Sequence, residues 1–208
     1  MAITHKFYDE LIDIENHQTF CGKPINPKSK ILFVGTFNPD NESCVKQNNA
    51  TWFYGRSKSK FWRYMPNALT GNSLHFLDGN IDVPKSWRNY CVQNKLVIID
   101  LVKSIQVDDI LENFGDRQVD CKINHGLTNV NRFNARMAFK NITFEKVIYS
   151  LSWADNQIHR LKKLKIELNK TLLEIGSIEN EEHQIKYCLT PSRNDQKTID
   201  SWNNAINE

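Results

Sequence analysis

Residues 31–42 read ILFVGTFNPDNE. The opening, Ile31–Gly35, is β-branched, aliphatic and aromatic with no polar alternation, the pattern of a strand buried on both faces of a parallel sheet. A glycine at the strand end permits close backbone approach, and Asn38 and Asp40 set polar side chains at the strand's mouth.

The same kind of short apolar run recurs at Leu96–Asp100 (LVIID), Lys146–Ser150 (KVIYS) and Ile185–Leu189 (IKYCL). Helical patterns fall around them at Phe7–Ile14, Phe61–Leu69, Asn156–Leu173 and Thr198–Asn207, with Ile158, Leu161, Leu164, Ile166, Leu168 and Leu172 recurring at spacings close to helical. Strands alternating with helices predict an α/β fold: a three-layer αβα sandwich around a central, mainly parallel four-stranded sheet. In such sheets the ligand crevice lies at the carboxyl ends of the strands, so the loops after these four segments are where function is expected.

The bulk numbers agree with one domain spanning residues 1–208. A chain of 208 residues with 40% hydrophobic and 25% charged residues is ordinary for a globular protein. A formal net charge of +3 permits a polyanionic partner without demanding one. Five cysteines stand scattered, with no C-x-x-C pair, so neither a metal site, a disulfide framework nor a cofactor is expected, and reduced core thiols are. No apolar run reaches the ~18 residues of a membrane span, and the early charges leave no signal core; a cytoplasmic monomer is expected, with no membrane partner.

Four loop motifs carry more. The first strand empties into GTFNPDNES, residues 35–43, and then, after a polar linker, into TWFYGRSKSKFWRYMP, residues 51–66. The second gives LVIIDLVKSI (96–105), the third YSLSWADNQ (149–157), and the fourth CLTPSRNDQKTIDSWNNAI (188–206). In order, these resemble the loops of the uracil-DNA glycosylase superfamily, nearest its mismatch-specific and hypoxanthine-DNA glycosylase branches. Phe53-Tyr54-Gly55 and Phe61-Trp62 stand at the spacing of the branch's aromatic segment, and Lys197 and Trp202 fit the hypoxanthine-type pattern.

The resemblance implies that Asn38, Asp40 and Asp100 are catalytic, positioning water and reading the base. It implies base contacts from Phe37, Phe53, Tyr54 and Ser59, with Phe53 or Tyr54 stacking. Arg56, Lys58, Lys60, Ser192, Arg193 and Asn194 would touch DNA, Arg193 as the wedge that fills the vacated stack and Ser192 on a phosphate. Cations interleaved with aromatic residues over 52–64 suit a nucleic-acid groove. Two departures from the family pattern, Phe37 where an Asp or Asn often stands and Ser59 before Phe-Trp, imply a substrate other than plain uracil: a deaminated purine, or a modified pyrimidine of the kind found in phage DNA, in which case the protein serves defence.

Each motif has a plainer reading. Asp100 could cap a helix, residues 190–194 could be a Pro-containing turn, and Phe61, Trp62 and Met65 at helical spacing could be core. Two other functions stay open: a catalytically silent DNA- or nucleotide-binding domain of the same fold, and an unrelated flavodoxin-like domain, whose Gly-rich or hydroxyl-rich phosphate loop is not evident after the first strand.

Overall fold

The computed structural model of the protein describes residues 2–40, 50–56, 59–74, 83–106, 130–151, 162–189, 191 and 195–208. In chain order the elements are β1 (Ala2–Thr4), α1 (Tyr8–His17), β2 (Thr19–Phe20), β3 (Lys23–Pro24), β4 (Lys28–Gly35), α2 (Phe61–Thr70), α3 (Val83–Gln93) and β5 (Leu96–Asp100). They continue with β6 (Val102–Gln106), β7 (Val130–Arg132), α4 (Ala135–Ala138), β8 (Thr143–Leu151), α5 (Lys162–Glu174), α6 (Glu181–Gln184), β9 (Ile185–Leu189) and α7 (Gln196–Asn207).

The four apolar runs become β4, β5, β8 and β9, which pair side by side in the order β5-β4-β8-β9, every pair parallel. Val34 pairs with Ile99 on one side and Tyr149 on the other, and Gly35 ends opposite Asp100. The five residues Ile31–Gly35 and all of β5 are buried, which explains their unbroken apolar character.

Side-chain alternation shows how the sheet is covered. Phe33 meets Phe61 of α2 edge-on at 5.4 Å and lies over Trp202 of α7 at 6.2 Å. Its neighbour Val34 pairs with Tyr149, whose hydroxyl donates to Asn169 Oδ1 of α5 at 2.5 Å. Because successive residues point to opposite faces, α2 and α7 lie on one side and α5 on the other. That is compatible with a three-layer sandwich. None of the described helices is long and apolar enough to cross a membrane.

Pro66 sits inside α2 without breaking it. A proline there has no N–H for the carbonyl of residue 62. The Trp62 carbonyl instead accepts from the Leu74 N–H at 2.9 Å, so the helix's defect becomes the anchor of the segment that leaves it.

A second sheet, of strands β1, β6 and β7, carries no apolar run that marks it in the sequence. After β5, Leu101 alone separates Asp100 from β6, which pairs antiparallel with β1 and β7. Strand β6 therefore removes one reading of Asp100: no helix follows it to be capped. The pairing Ile3↔Ile105 and Thr4↔Ser104 brings the amino-terminal segment beside the end of β5, and the His5 N–H donates to the Lys103 carbonyl at 2.7 Å.

One buried ion pair holds this sheet to α1. Lys103 Nζ donates to Glu15 Oε2 at 2.6 Å, and Glu15 Oε1 accepts the Asn134 N–H at 2.5 Å, with both side chains under a tenth exposed. Replacing Glu15 by Ala strands an ammonium in the interior, so we expect a loss of about 3–5 kcal/mol in urea unfolding. The pair variant Glu15→Leu/Lys103→Met should recover most of it.

Candidate active site

Three backbone segments converge where β4 and β5 end. The loop 36–40 leaves β4, Asp100 closes β5, and residues 4–7 lie along both. Lys6 N–H donates to the Asn38 carbonyl at 2.7 Å, Asp40 N–H donates to the Thr4 carbonyl at 3.0 Å, and His5 forms an isolated antiparallel bridge with Pro39.

At the centre, His5 Nε2 lies 2.6 Å from Asp100 Oδ2, with the two residues 2% and 6% exposed. His5 Nδ1 accepts the Phe7 N–H at 2.9 Å. A nitrogen that accepts carries no proton, so the proton of the imidazole is on Nε2 and His5 donates to the carboxylate. Phe7, Phe37 and Phe53 enclose the ring, with centroids at 5.8, 6.0 and 5.6 Å.

Gly35 is required here by space rather than by torsion. A Cβ on it would fall on Asp100 Oδ1, well inside van der Waals contact, and within 3.0 Å of the Tyr54 hydroxyl. The carboxylate is thus seated directly on the end of β4, a place only glycine leaves open.

The aromatic segment 52–62 forms the wall beside it. Tyr54 takes a left-handed φ of +55°, unfavourable for a bulky side chain. It is held there by its ring lying flat on Phe61, at 4.1 Å and 8°, and by the turn that the Gly55 N–H closes onto the Trp52 carbonyl at 2.8 Å. Gly55 has no room for a Cβ either, with the Trp87 ring 2.7 Å and the Trp52 backbone 2.9 Å away. Behind, Trp52, Trp62 and Trp87 form a continuous stack.

Of the expected site residues, Asp100, Phe37 and Phe53 contact His5, while the Tyr54 hydroxyl lies at the same strand end, by Gly35. Arg56 Nη2 donates to Asn38 Oδ1 at 3.2 Å, which identifies that end of the amide as the acceptor. Asp40 accepts from the Thr4 hydroxyl, a contact that fastens loop to strap.

Phe53 is 1% exposed and packs on Phe7 and Trp52 as well as His5, so the expectation of an open stacking platform is corrected: it is a wall of the histidine's enclosure. Ser59 Oγ accepts from the Phe61 N–H at 3.3 Å, supporting the start of α2. Lys60 reaches the fourth loop through its backbone, donating to the Pro191 carbonyl at 2.6 Å. Trp202 is core, its Nε1–H donating to the Leu189 carbonyl at 2.8 Å. Lys58, Ser192, Arg193 and Asn194 lie outside the described residues.

His5 is the residue the sequence reading missed. It stands 95 positions from its partner, and no local motif marks it.

Among the described residues no cluster of His, Cys, Asp and Glu could hold a metal. Burial pushes the thiols of Cys21, Cys91 and Cys188 up from their ordinary range, with the Glu10 carboxylate adding to the effect at Cys21. A raised pKa keeps a thiol protonated, and the thiolate is the nucleophile. The buried Cys91 and Cys188 should therefore resist Ellman's reagent in the folded protein at neutral pH and react once urea unfolds it.

No family model, no curated protein and no solved structure matches this chain. The site's own geometry must therefore carry the functional reading.

Gly35→Ala tests that geometry directly. The added methyl must displace the Asp100 carboxylate, and we expect overpacking to lower stability by about 1–3 kcal/mol in urea unfolding. An unchanged midpoint would mean that the carboxylate does not sit on the strand end.

Proposed function

We propose that the chain is a DNA glycosylase of uracil-DNA glycosylase-like fold that excises an abnormal or modified base, a deaminated purine or a modified pyrimidine. The observation that carries this reading is the buried Asp100 carboxylate, seated on Gly35 at the carboxyl end of a parallel sheet beside the 36–40 loop. Loops resembling the family's first two motifs thereby meet at one strand end, and Lys60 ties the aromatic segment to Pro191.

Hydrolysis breaks the bond between the sugar's anomeric carbon and the base nitrogen; the base leaves with the bonding electrons, and water adds to the carbon and gives up a proton. A fixed carboxylate stabilises the cationic sugar as that bond lengthens and can take the water's proton. Asp100 has the charge and the fixed orientation for this. Asn38, whose amide oxygen accepts from Arg56, places an amide in the loop beside this carboxylate, a group of the kind that reads a base edge. Exposed Arg56 and partly exposed Lys60 supply cations at the rim, where the phosphate backbone of a flipped nucleotide would pass.

The reading is tested by incubating the protein with duplexes carrying hypoxanthine, uracil, mismatched thymine or phage-type modified cytosines, then cleaving abasic sites with alkali. We expect strand breaks with at least one non-uracil base, and a loss of roughly 100-fold in excision rate for Asp100→Asn with duplex affinity nearly unchanged. Binding without breaks on every duplex would replace this reading with that of a catalytically silent DNA-binding domain.

A further inference from the structure

We propose that His5 is the positioning residue for Asp100, so that residues 2–7 complete the site rather than merely edging the second sheet. This rests on the reading of Asp100 as the reacting carboxylate, but its geometry can be tested without a substrate.

The Phe7 N–H occupies the Nδ1 lone pair, so His5 meets Asp100 as a neutral donor. A neutral donor fixes the carboxylate's torsion without cancelling its charge, as an ammonium or guanidinium would. Of the cations nearby, Lys103 is bound by Glu15 at 2.6 Å and Arg56 donates to Asn38.

The imidazole cannot easily turn away. Its side chain is wholly buried, Phe7 and Phe37 meet it edge-on at 62°, and Phe53 lies across it at 33°. Its own backbone is pinned through the Lys103 carbonyl. One carboxylate oxygen is tied by Nε2–H, and the other, Oδ1, lies against Gly35. The same division of labour, in which an oriented partner sets the direction of the reacting group, governs hydrogen-bonded metal ligands and catalytic dyads.

The experiment begins with ¹⁵N-histidine-labelled protein at neutral pH, the His5 signals being assigned by their absence in His5→Gln. We expect a protonated Nε2 and an unprotonated Nδ1, with the Nε2 proton resonance moving upfield in Asp100→Asn, where a weaker acceptor replaces the carboxylate. An imidazolium, an Nδ1–H tautomer, or a resonance indifferent to Asp100→Asn overturns the proposal.

In excision assays, His5→Leu should lower kcat about 10–100-fold with KM for the duplex little changed. His5→Gln, whose amide NH₂ can reach the Nε2 position, should recover at least half of that loss on a logarithmic scale. Equal loss in both folded variants, or a change confined to KM, overturns positioning. If the wild type excises no base in the panel, the glycosylase reading fails while the imidazole spectrum still decides the His5–Asp100 geometry; if both variants unfold, the spectrum of the wild type decides.

Discussion

Across the β4–β5 ladder, Gly35 stands opposite Asp100, and almost everything distinctive about the molecule follows from that register. Parallel strands in register end together, so the loop leaving β4 and the last side chain of β5 emerge at one edge. The absence of a Cβ on Gly35 then lets the Asp100 carboxylate settle onto the neighbouring strand. A one-residue slip would turn Asp100 to the opposite face, because strand side chains repeat every two residues. The apolar runs that flank the pair, buried on both faces, are what make such a slip unfavourable.

The site is built by adding polar groups to this edge one constraint at a time. The antiparallel pairing of β1 with β6 carries His5 to Asp100; the Phe7 amide selects the tautomer; a ring of phenylalanines excludes water. Farther out, the Glu15–Lys103 pair joins α1 to β6, whose partner β1 leads into His5. Buried polar groups are tolerated here because nearly all are satisfied; among the described residues only Thr198 Oγ1 is buried without a partner.

How much of this could be read from the sequence depended on distance along the chain. Two of the main strands begin and end where their apolar runs do, at Leu96–Asp100 and Ile185–Leu189. The other two run longer, β4 from Lys28 and β8 over Thr143–Leu151, because exposed Lys28 and Lys30 continue the ladder without apolar character. Strands β1, β6 and β7 were invisible for a related reason: VKSIQ and AIT are too short and too mixed to show a period. Asp100 stood out by its place at a strand end, but its choice between cap and pocket depended on what came next. His5 was beyond local reading altogether, since its role exists only through pairing with residues about a hundred positions away.

That separation also has a temporal side. The strap that carries His5 is made well before its partners: Ala2 pairs with Gln106, and the imidazole has no carboxylate to meet until Asp100 has been added. At roughly 5–20 residues per second, a growing chain spends several seconds with this strap unpaired. Closing so long a loop is also the kind of non-local step that comes late in folding. The pairing of His5 with Asp100 therefore forms only after the parallel sheet has a β5 to offer, and a nascent chain halted before that point would hold the histidine and the 36–40 loop without the carboxylate.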